Sequence, residues 1–374
     1  MKALLPDVDP DGLLEFSVVF TDRSLNHMSA QFQKVMRDIS EQLCHVYNAS
    51  SCAIVPGGGT FAMEAVARQF SRNKSVMVLR NGWFSFRWTQ IFETGDFTAD
   101  AQVLKARRSD NHTESAFRPL PIEDVVAEIL DKKPDVFFAP HVETASGIIL
   151  PDAYLEAIGA AVRSYGGLFV LDCIASGCIW VDMQACNVDV LISAPQKGWS
   201  ASPCAGLVML NERAEAQMAE TESDSFAANL KTWAGIMRAY TDGGHAYHAT
   251  MPTDSLRDFR DTVLEMRDFG YGELKQAQWD LGKAVRAVLA ERGFKSVAGA
   301  GFEAPGVVVS YTSDPAFQNG SKFAALGVQI AAGVPLRCDE PEDYSSFRIG
   351  LFGLEKLYDV NSTVGRLTRI LDQV

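Results

Sequence analysis

Two residues sit where an open α/β sheet concentrates its chemistry. Asp172 ends the apolar run LFVLD, and Lys197 follows the next apolar run, VDVLIS, after Ala194, Pro195 and Gln196. Ligands in such sheets gather beyond the carboxyl ends of parallel strands, so an acid and an amine at two successive strand ends are placed to meet one ligand. A single aspartate there reads equally well as a turn or cap acid, and a lysine taken at random is a solvated surface cation. Their pairing is what adds information. Pyridoxal-phosphate chemistry asks a protein for a carboxylate facing a pyridinium nitrogen and an amine that condenses with an aldehyde, and both groups are present.

Upstream, Val55 to Thr60 reads VPGGGT and leads into a helical pattern of Phe61, Ala62, Ala65, Val66 and Phe70. Glycines opening a helix bring backbone N–H groups and the positive end of the helix dipole to a phosphate. A plain tight turn explains the same residues. No Lys-Ser/Thr follows the glycines and no GxGxxG follows a strand, which removes a nucleotide P-loop and a dinucleotide fingerprint. His141 and Glu143 form an H-x-E, with Pro203 and Cys204 later, but Leu207 stands where a zinc deaminase needs its second cysteine. No metal is expected. A hydrolase triad of Ser176 or Ser193 with His248 lacks the G-x-S-x-G elbow that would frame the serine.

The elements that position these residues follow from hydrophobic patterning. Ser75–Leu79, Asp135–Ala139, Leu168–Cys173 and Val188–Ser193 are apolar and rich in residues suited to buried strands. Pro151 and Asp152 open a helix in which Leu155, Ile158 and Val162 recur at helical spacing, and Gly166 with Gly167 ends it. Alternating strands and helices predict a largely parallel sheet covered by helices. Around His245 to Pro252 the rhythm breaks. A helical stretch runs from about Leu256 to Arg292 with breaks at Gly270 and Gly272, then strand-like runs at Gly306–Thr312, Val328–Gly333 and Ser346–Gly353, and a last helix from Val360. The expected division is a large domain over 21–254 and a small α+β domain over 255–374, with segment 1–20 returning to the small one.

A net charge of −13 over 374 residues disfavours nucleic acid and anionic membrane surfaces, both of which reward basic patches. With 47% apolar and 22% charged residues the composition is that of a folded globular chain. The seven cysteines are an odd number set largely in apolar runs, and they read as reduced, buried residues of a cytoplasmic protein. Neither a basic leader nor an apolar run of membrane-spanning length is seen.

Taken together, the motifs resemble the class V aminotransferases of pyridoxal-phosphate fold type I, in particular the alanine–glyoxylate and serine–pyruvate branch, over roughly Tyr47 to Phe352. The resemblance implies a mostly parallel seven-stranded sheet with a smaller C-terminal domain, and a homodimer with active sites shared across the interface. It assigns the phosphate to Gly58, Gly59 and Thr60, with Gln196 nearby. Within Asn81 to Arg87 (NGWFSFR) it places Phe84 over the cofactor ring and leaves Trp83 and Phe86 to core packing. In HVETASG it puts the Thr144 hydroxyl on the phenolic oxygen. Asp172 becomes the pyridinium partner and Lys197 the catalytic amine. Tyr247 and Thr250 match a pair that reaches the phosphate in the neighbouring subunit, and Arg348 in FRIGLFG matches the arginine that grips a substrate α-carboxylate. The implied reaction moves an amino group from alanine, serine or a similar donor to glyoxylate or pyruvate in a ping-pong cycle.

Two departures from the family pattern bear on this reading. Ser17 to Arg23 replaces a G-P-G segment that lines the substrate pocket, and Pro195 stands where a small residue precedes Gln-Lys. An aminophosphonate or aminosulfonate donor is the alternative, with Arg23 or Arg337 reading a distal anion unless surface salt bridges occupy them. A lyase of the same fold is a second alternative, although such relatives put histidine where Phe84 and Gln196 stand here.

Overall fold

Buried, largely β-branched runs form the centre of the molecule. In the computed structural model, which describes residues 8–98, 101–110 and 112–374, seven strands make one sheet. They are β1 (Ser51–Pro56), β2 (Val76–Arg80), β3 (Ala101–Lys105), β4 (Val136–Pro140), β5 (Leu168–Asp172), β6 (Val190–Ser193) and β7 (Ala205–Leu210). Their spatial order is β1-β7-β6-β5-β4-β2-β3. Only β7 runs against its neighbours, pairing antiparallel with β1 and β6, while the pairs from β6 across to β3 are parallel. Strands β2, β4, β5 and β6 are buried at every position, as expected for strands covered on both faces.

Crossover helices supply that cover. Helix α1 (Ala30–Tyr47) precedes the sheet, and α2 (Gly59–Phe70), α3 (Trp83–Gly95), α4 (Ile122–Lys132) and α5 (Asp152–Ser164) follow successive strands. Trp88 of α3 lies with its ring centroid 4.5 Å from that of Phe138 on β4, and Phe137 and Phe169 meet edge-on across β4 and β5. Each such ring removes apolar area worth about 1.5–3 kcal/mol from water. The seven cysteines are all unpaired, and six of them are buried.

Chain reversal through helices α6 (Glu212–Ala219) and α7 (Leu230–Thr241) leads to the predicted long helical stretch. It divides once, into α8 (Thr253–Phe269) and α9 (Tyr271–Glu291), at Gly270, whose φ of 107° suits glycine. Gly272 continues the second helix. The smaller C-terminal domain carries a three-stranded antiparallel sheet of β8 (Val307–Tyr311), β9 (Ala331–Ala332) and β10 (Ser346–Gly350), with β10 in the middle, and ends on the helix Val360–Leu371. The run Val328–Gly333 thus yields only a two-residue strand. The first seven residues of the N-terminal segment lie outside the described residues; farther along, Leu25 N–H donates to Asp254 Oδ1 at 3.2 Å. No helix of the described residues is long and apolar enough to cross a membrane.

One close approach positions the lysine-bearing turn. Gly198 lies against the turn that follows β5, so that a Cβ at residue 198 would stand 2.2 Å from the Gly177 carbonyl oxygen. Gly177 has φ +69°, which presents that carbonyl at little conformational cost. Gly198→Ala is therefore expected to force two strand-end turns apart and to lower stability by about 1–3 kcal/mol. An unchanged denaturant midpoint would show that these turns are not in rigid contact.

Candidate active site

Register brings the two chemical residues together. Asp172, last on β5, pairs with Ile192 of β6, and β6 ends one residue later in the turn that carries Lys197. The Asp172 carboxyl is buried and, among the described residues, accepts one hydrogen bond, from Ile174 N at 2.9 Å. Burial pushes its pKa up to about 7, the charge of Glu143 adds to the rise, and the Ile174 N–H, Arg87 and Lys197 oppose it. Lys197 is held below the usual amine range, chiefly by burial and then by the positive charge of Arg348 and Arg87, against the pull of Asp172. Its Nζ lies 5.5 Å from the centroid of the Phe352 ring and makes no hydrogen bond or ion pair among the described residues. Burial of this kind favours the uncharged amine, the form that can act as nucleophile or accept a proton.

Helix α3 contributes an aromatic ladder lined with arginines. Phe84 carries Arg87 at 5.2 Å and Arg348 at 5.6 Å from its ring centroid. Arg348 stands on the central strand β10, paired with Val309 and Ala331, and its Nε donates to the Ala332 carbonyl at 2.8 Å. Burial holds the Arg348 guanidinium below its ordinary range, and Glu143 and Tyr344 partly offset this. Trp83 is half-buried and packs against the core of the C-terminal side of the site, in line with the packing expected for it, whereas Phe86 is half-buried outside the core clusters. Arg337 rests over both rings at 5.3 and 5.6 Å, and Arg80 lies 4.7 Å from Phe86.

At the start of α2, Gly58 is the cap residue, and a Cβ added to it would meet nothing within 4 Å, so the helix end faces open space. Thr60 Oγ1 accepts from Arg87 Nη1 at 2.8 Å, which sets a guanidinium beside the free N–H groups of the first turn. Gly59 packs tightly, since its Cβ would lie 2.6 Å from Ile174, the residue whose N–H holds Asp172. Thr144 is buried with no side-chain hydrogen bond among the described residues, and Gln196 has its amide oxygen buried and unpaired.

These unmet needs fit pyridoxal phosphate. A carboxyl raised for want of a cation suits a pyridinium nitrogen, an unpaired amine suits an aldehyde, and an open helix N-terminus beside an arginine suits a phosphate. The unpaired Thr144 and Gln196 side chains offer further polar contacts. Arg87, Glu143 and Phe352 belong to the same neighbourhood, although the sequence assigns Arg87 and Phe352 no role and offers Glu143 only as part of the H-x-E that lacks its zinc partners. Contact marks Arg87 and burial with contact marks Glu143, neither of which a sequence displays.

Other expected residues lie apart. Tyr247 and Thr250 are exposed and bonded to each other, hydroxyl to hydroxyl, at 3.1 Å, with no hydrogen bond or ring contact to Asp172, Lys197, Phe84 or Arg348. Neither Arg23 nor Arg337 enters a salt bridge among the described residues, so the surface ion pairs anticipated for them are corrected: Arg337 has aromatic partners instead. The serine and histidine side chains of a notional triad are dispersed. Ser176 bonds His141 at 2.7 Å, Ser193 bonds Tyr47 and Trp199, and His248 bonds the Phe226 carbonyl. His141 is pushed down to about 3 by burial, with Lys275 adding to the fall, and stays neutral. Among the described residues no cluster of three or more His, Cys, Asp or Glu could hold a metal ion.

Comparison with known proteins agrees with this geometry. The family model described as aminotransferase class-V matches residues 15–300. The chain is 25% identical to a 2-aminoethylphosphonate–pyruvate transaminase of Paraburkholderia phymatum, over 92% of this chain and 89% of that protein. It is 24% identical to an alanine–glyoxylate aminotransferase of Callithrix jacchus, covering 92% and 76% respectively. Among solved structures, an alanine–glyoxylate aminotransferase from Nostoc superposes with a TM-score of 0.78 at 20% identity, over 93% of this chain and 88% of that one, a likeness of fold.

The Asp172 carboxyl carries a stability signature. Its folded pKa of about 7 lies above the ordinary 3.8. The folded state therefore holds the proton more tightly than the unfolded chain, and that contribution, fully present below about pH 4, is lost as pH rises through about 7. The full loss is roughly 4 kcal/mol as an upper bound. Cofactor-free Asp172→Asn is expected to show a flatter decline of melting temperature from acid to neutral pH than the cofactor-free parent. Identical slopes would assign the titration to other groups.

Proposed function

Because the chain belongs to the class V aminotransferase family, whose members use pyridoxal phosphate, we propose that it moves an amino group from a small amino acid such as alanine or serine to glyoxylate or pyruvate. The observation that carries the reading is the pairing of a buried acid and a desolvated amine at adjacent carboxyl ends of β5 and β6. Bound pyridoxal phosphate supplies an aldehyde that condenses with amines and a ring that accepts an electron pair. Asp172 would face the ring nitrogen and keep its proton in place, since an anion favours a neighbouring cation. Lys197 Nζ would hold the aldehyde at rest, and when an amino substrate displaces it, take the proton from the substrate Cα. Phe84 would cover the ring, Thr144 and Gln196 would add polar contacts, and Gly58, Gly59 and Thr60 would take the phosphate.

On this reading Arg348 grips the substrate carboxylate. Its Nε is already committed to Ala332, which fixes the plane of the guanidinium and leaves the remaining donors for a two-point contact. Tyr247 and Thr250, exposed and without hydrogen bonds to the chain's own site among the described residues, suit the role of reaching the phosphate of a second subunit in a homodimer. Phe84 and Gln196 in place of histidines favour transamination over the lyase chemistry of the same fold.

A second donor class has its own support. Relatives from three organisms are named 2-aminoethylphosphonate–pyruvate transaminase, and among the described residues Arg337 has no side-chain ion pair with a carboxylate. A panel of donors and acceptors run as half-reactions separates the two: alanine or serine as the fastest donor supports the first, an aminophosphonate the second.

Purified protein should be yellow and bleach on addition of an amino donor; a colourless protein that pyridoxal phosphate does not reconstitute would sink the assignment. Lys197→Ala should fold and lose turnover by several orders of magnitude, and retained turnover would remove Lys197 from its role. Arg348→Lys should lower kcat/KM for carboxylate-bearing amines by about 10- to 100-fold while sparing simple amines, because a point charge replaces a two-pronged contact. Equal losses for both classes would make Arg348 a structural residue.

A further inference from the structure

Helix α3 is capped locally only from Ser85, whose Oγ accepts from Asn81 N at 2.9 Å and Gly82 N at 3.2 Å. Its cap residue is Gly82, which has no side chain to accept from the first-turn N–H groups, and none of the helix's first-turn residues is acidic. A carboxylate from 58 residues farther along the chain takes over. Glu143 Oε2 accepts from Ser85 N at 2.8 Å and Ser85 Oγ at 2.7 Å, and Oε1 accepts from Phe84 N at 3.2 Å and from Ala145 N in its own turn at 3.0 Å. Its side chain is fully buried. The glycine is required by this arrangement, because a Cβ on residue 82 would lie 2.6 Å from Glu143 Cγ.

The consequence lies in which residues are joined. Phe84, whose own N–H is one of the four donors, is the ring assigned to cover the cofactor, and Thr144 sits between Glu143 and Ala145 in the turn that closes the bond set. A buried anion at a helix N-terminus is stabilised by the dipole, and its four donors fix it in one orientation. The same charge faces Arg348 and Asp172, so it is also placed in the field that both groups feel.

We propose that Glu143 is the positioning residue of the cofactor pocket: its carboxylate locks the first turn of α3, and through it the Phe84 ring, against the turn that bears Thr144. This rests on the cofactor reading above. It differs from a plain helix cap in a measurable way, because a cap that only stabilises the fold leaves cofactor affinity to other residues, whereas a positioning residue acts through Phe84.

The test is a double-mutant cycle read as the affinity of cofactor-free protein for pyridoxal phosphate, followed by fluorescence quenching in the parent, Glu143→Gln, Phe84→Ala and the double variant. Glutamine keeps the shape but turns an amide NH2 toward backbone donors. Each single change is expected to weaken binding about tenfold or more. The double variant should bind no more than two- to threefold more weakly than the worse single one, because residues acting as a unit are not additive. Losses that multiply, or unchanged affinity in Glu143→Gln, would overturn the proposal. If that variant does not fold, Ser85→Ala removes one of the four donors and is put through the same cycle with Phe84→Ala. A parent protein that does not bind pyridoxal phosphate would instead strike the cofactor reading itself.

Discussion

Parallel pairing of β5 with β6 is the constraint on which the site depends. Once Asp172 is opposite Ile192, the lysine-bearing turn has nowhere to go but the space beside the carboxyl, and Gly198 closes on Gly177 with no room for a side chain between them. Because neighbouring strands stand about 4.8 Å apart, register alone delivers two groups to one ligand-sized volume. The helix N-termini of α2 and α3 and the central strand of the C-terminal sheet then surround that volume with donors and guanidinium groups.

Charge is distributed unevenly between the molecule and its centre. The chain carries a net charge of −13, yet Arg87, Arg348 and Lys197 converge around Phe84 and Phe352, with Asp172 and Glu143 as the buried acids among them. A cluster of cationic side chains in an acidic protein attracts small anions locally while the protein's net charge repels polyanions. Within the site each acid has a separate task. Glu143 is satisfied by four donors from the chain, whereas Asp172 has one and retains capacity for another partner.

Much of this was legible in the sequence, and the physical reason differs from element to element. The β2, β4, β5 and β6 strands are largely continuous apolar runs, and their ends fall within a residue of those read from the sequence, which puts Asp172 at one strand end and Lys197 four residues beyond the next. Strand β3 (AQVLK) at the sheet edge is half-exposed and mixed in polarity, so no period marks it. Strand β7 contains Gly206, which reads as a breaker; the structure shows its use, since a Cβ there would press to 2.3 Å of the Ala62 Cβ on α2. The division of the long helix at Gly270 but not Gly272 depends on a positive φ that only tertiary packing selects. Glu143 stayed hidden for a related reason. An acid inside an apolar stretch reveals its type, but the donors it meets come from a helix nearly sixty residues earlier.

The buried cysteines have a bearing on chemoselectivity. Thiols add to aldehydes, and two stand within a few residues of the reacting groups: Cys173 directly after Asp172, and Cys178, whose Sγ contacts the carbonyl of Gly198 at 3.5 Å. Burial raises the Cys173 thiol well above its usual range and pushes Cys178 up to about 12. Since the thiolate is the reactive form, both sulfurs are silent at neutral pH. The same dry environment that lowers the lysine's affinity for a proton raises the cysteines', because the amine is charged when protonated and the thiol when it is not. One buried region thereby favours the uncharged form of both kinds of group, which leaves the Lys197 nitrogen its free electron pair and the two sulfurs their protons.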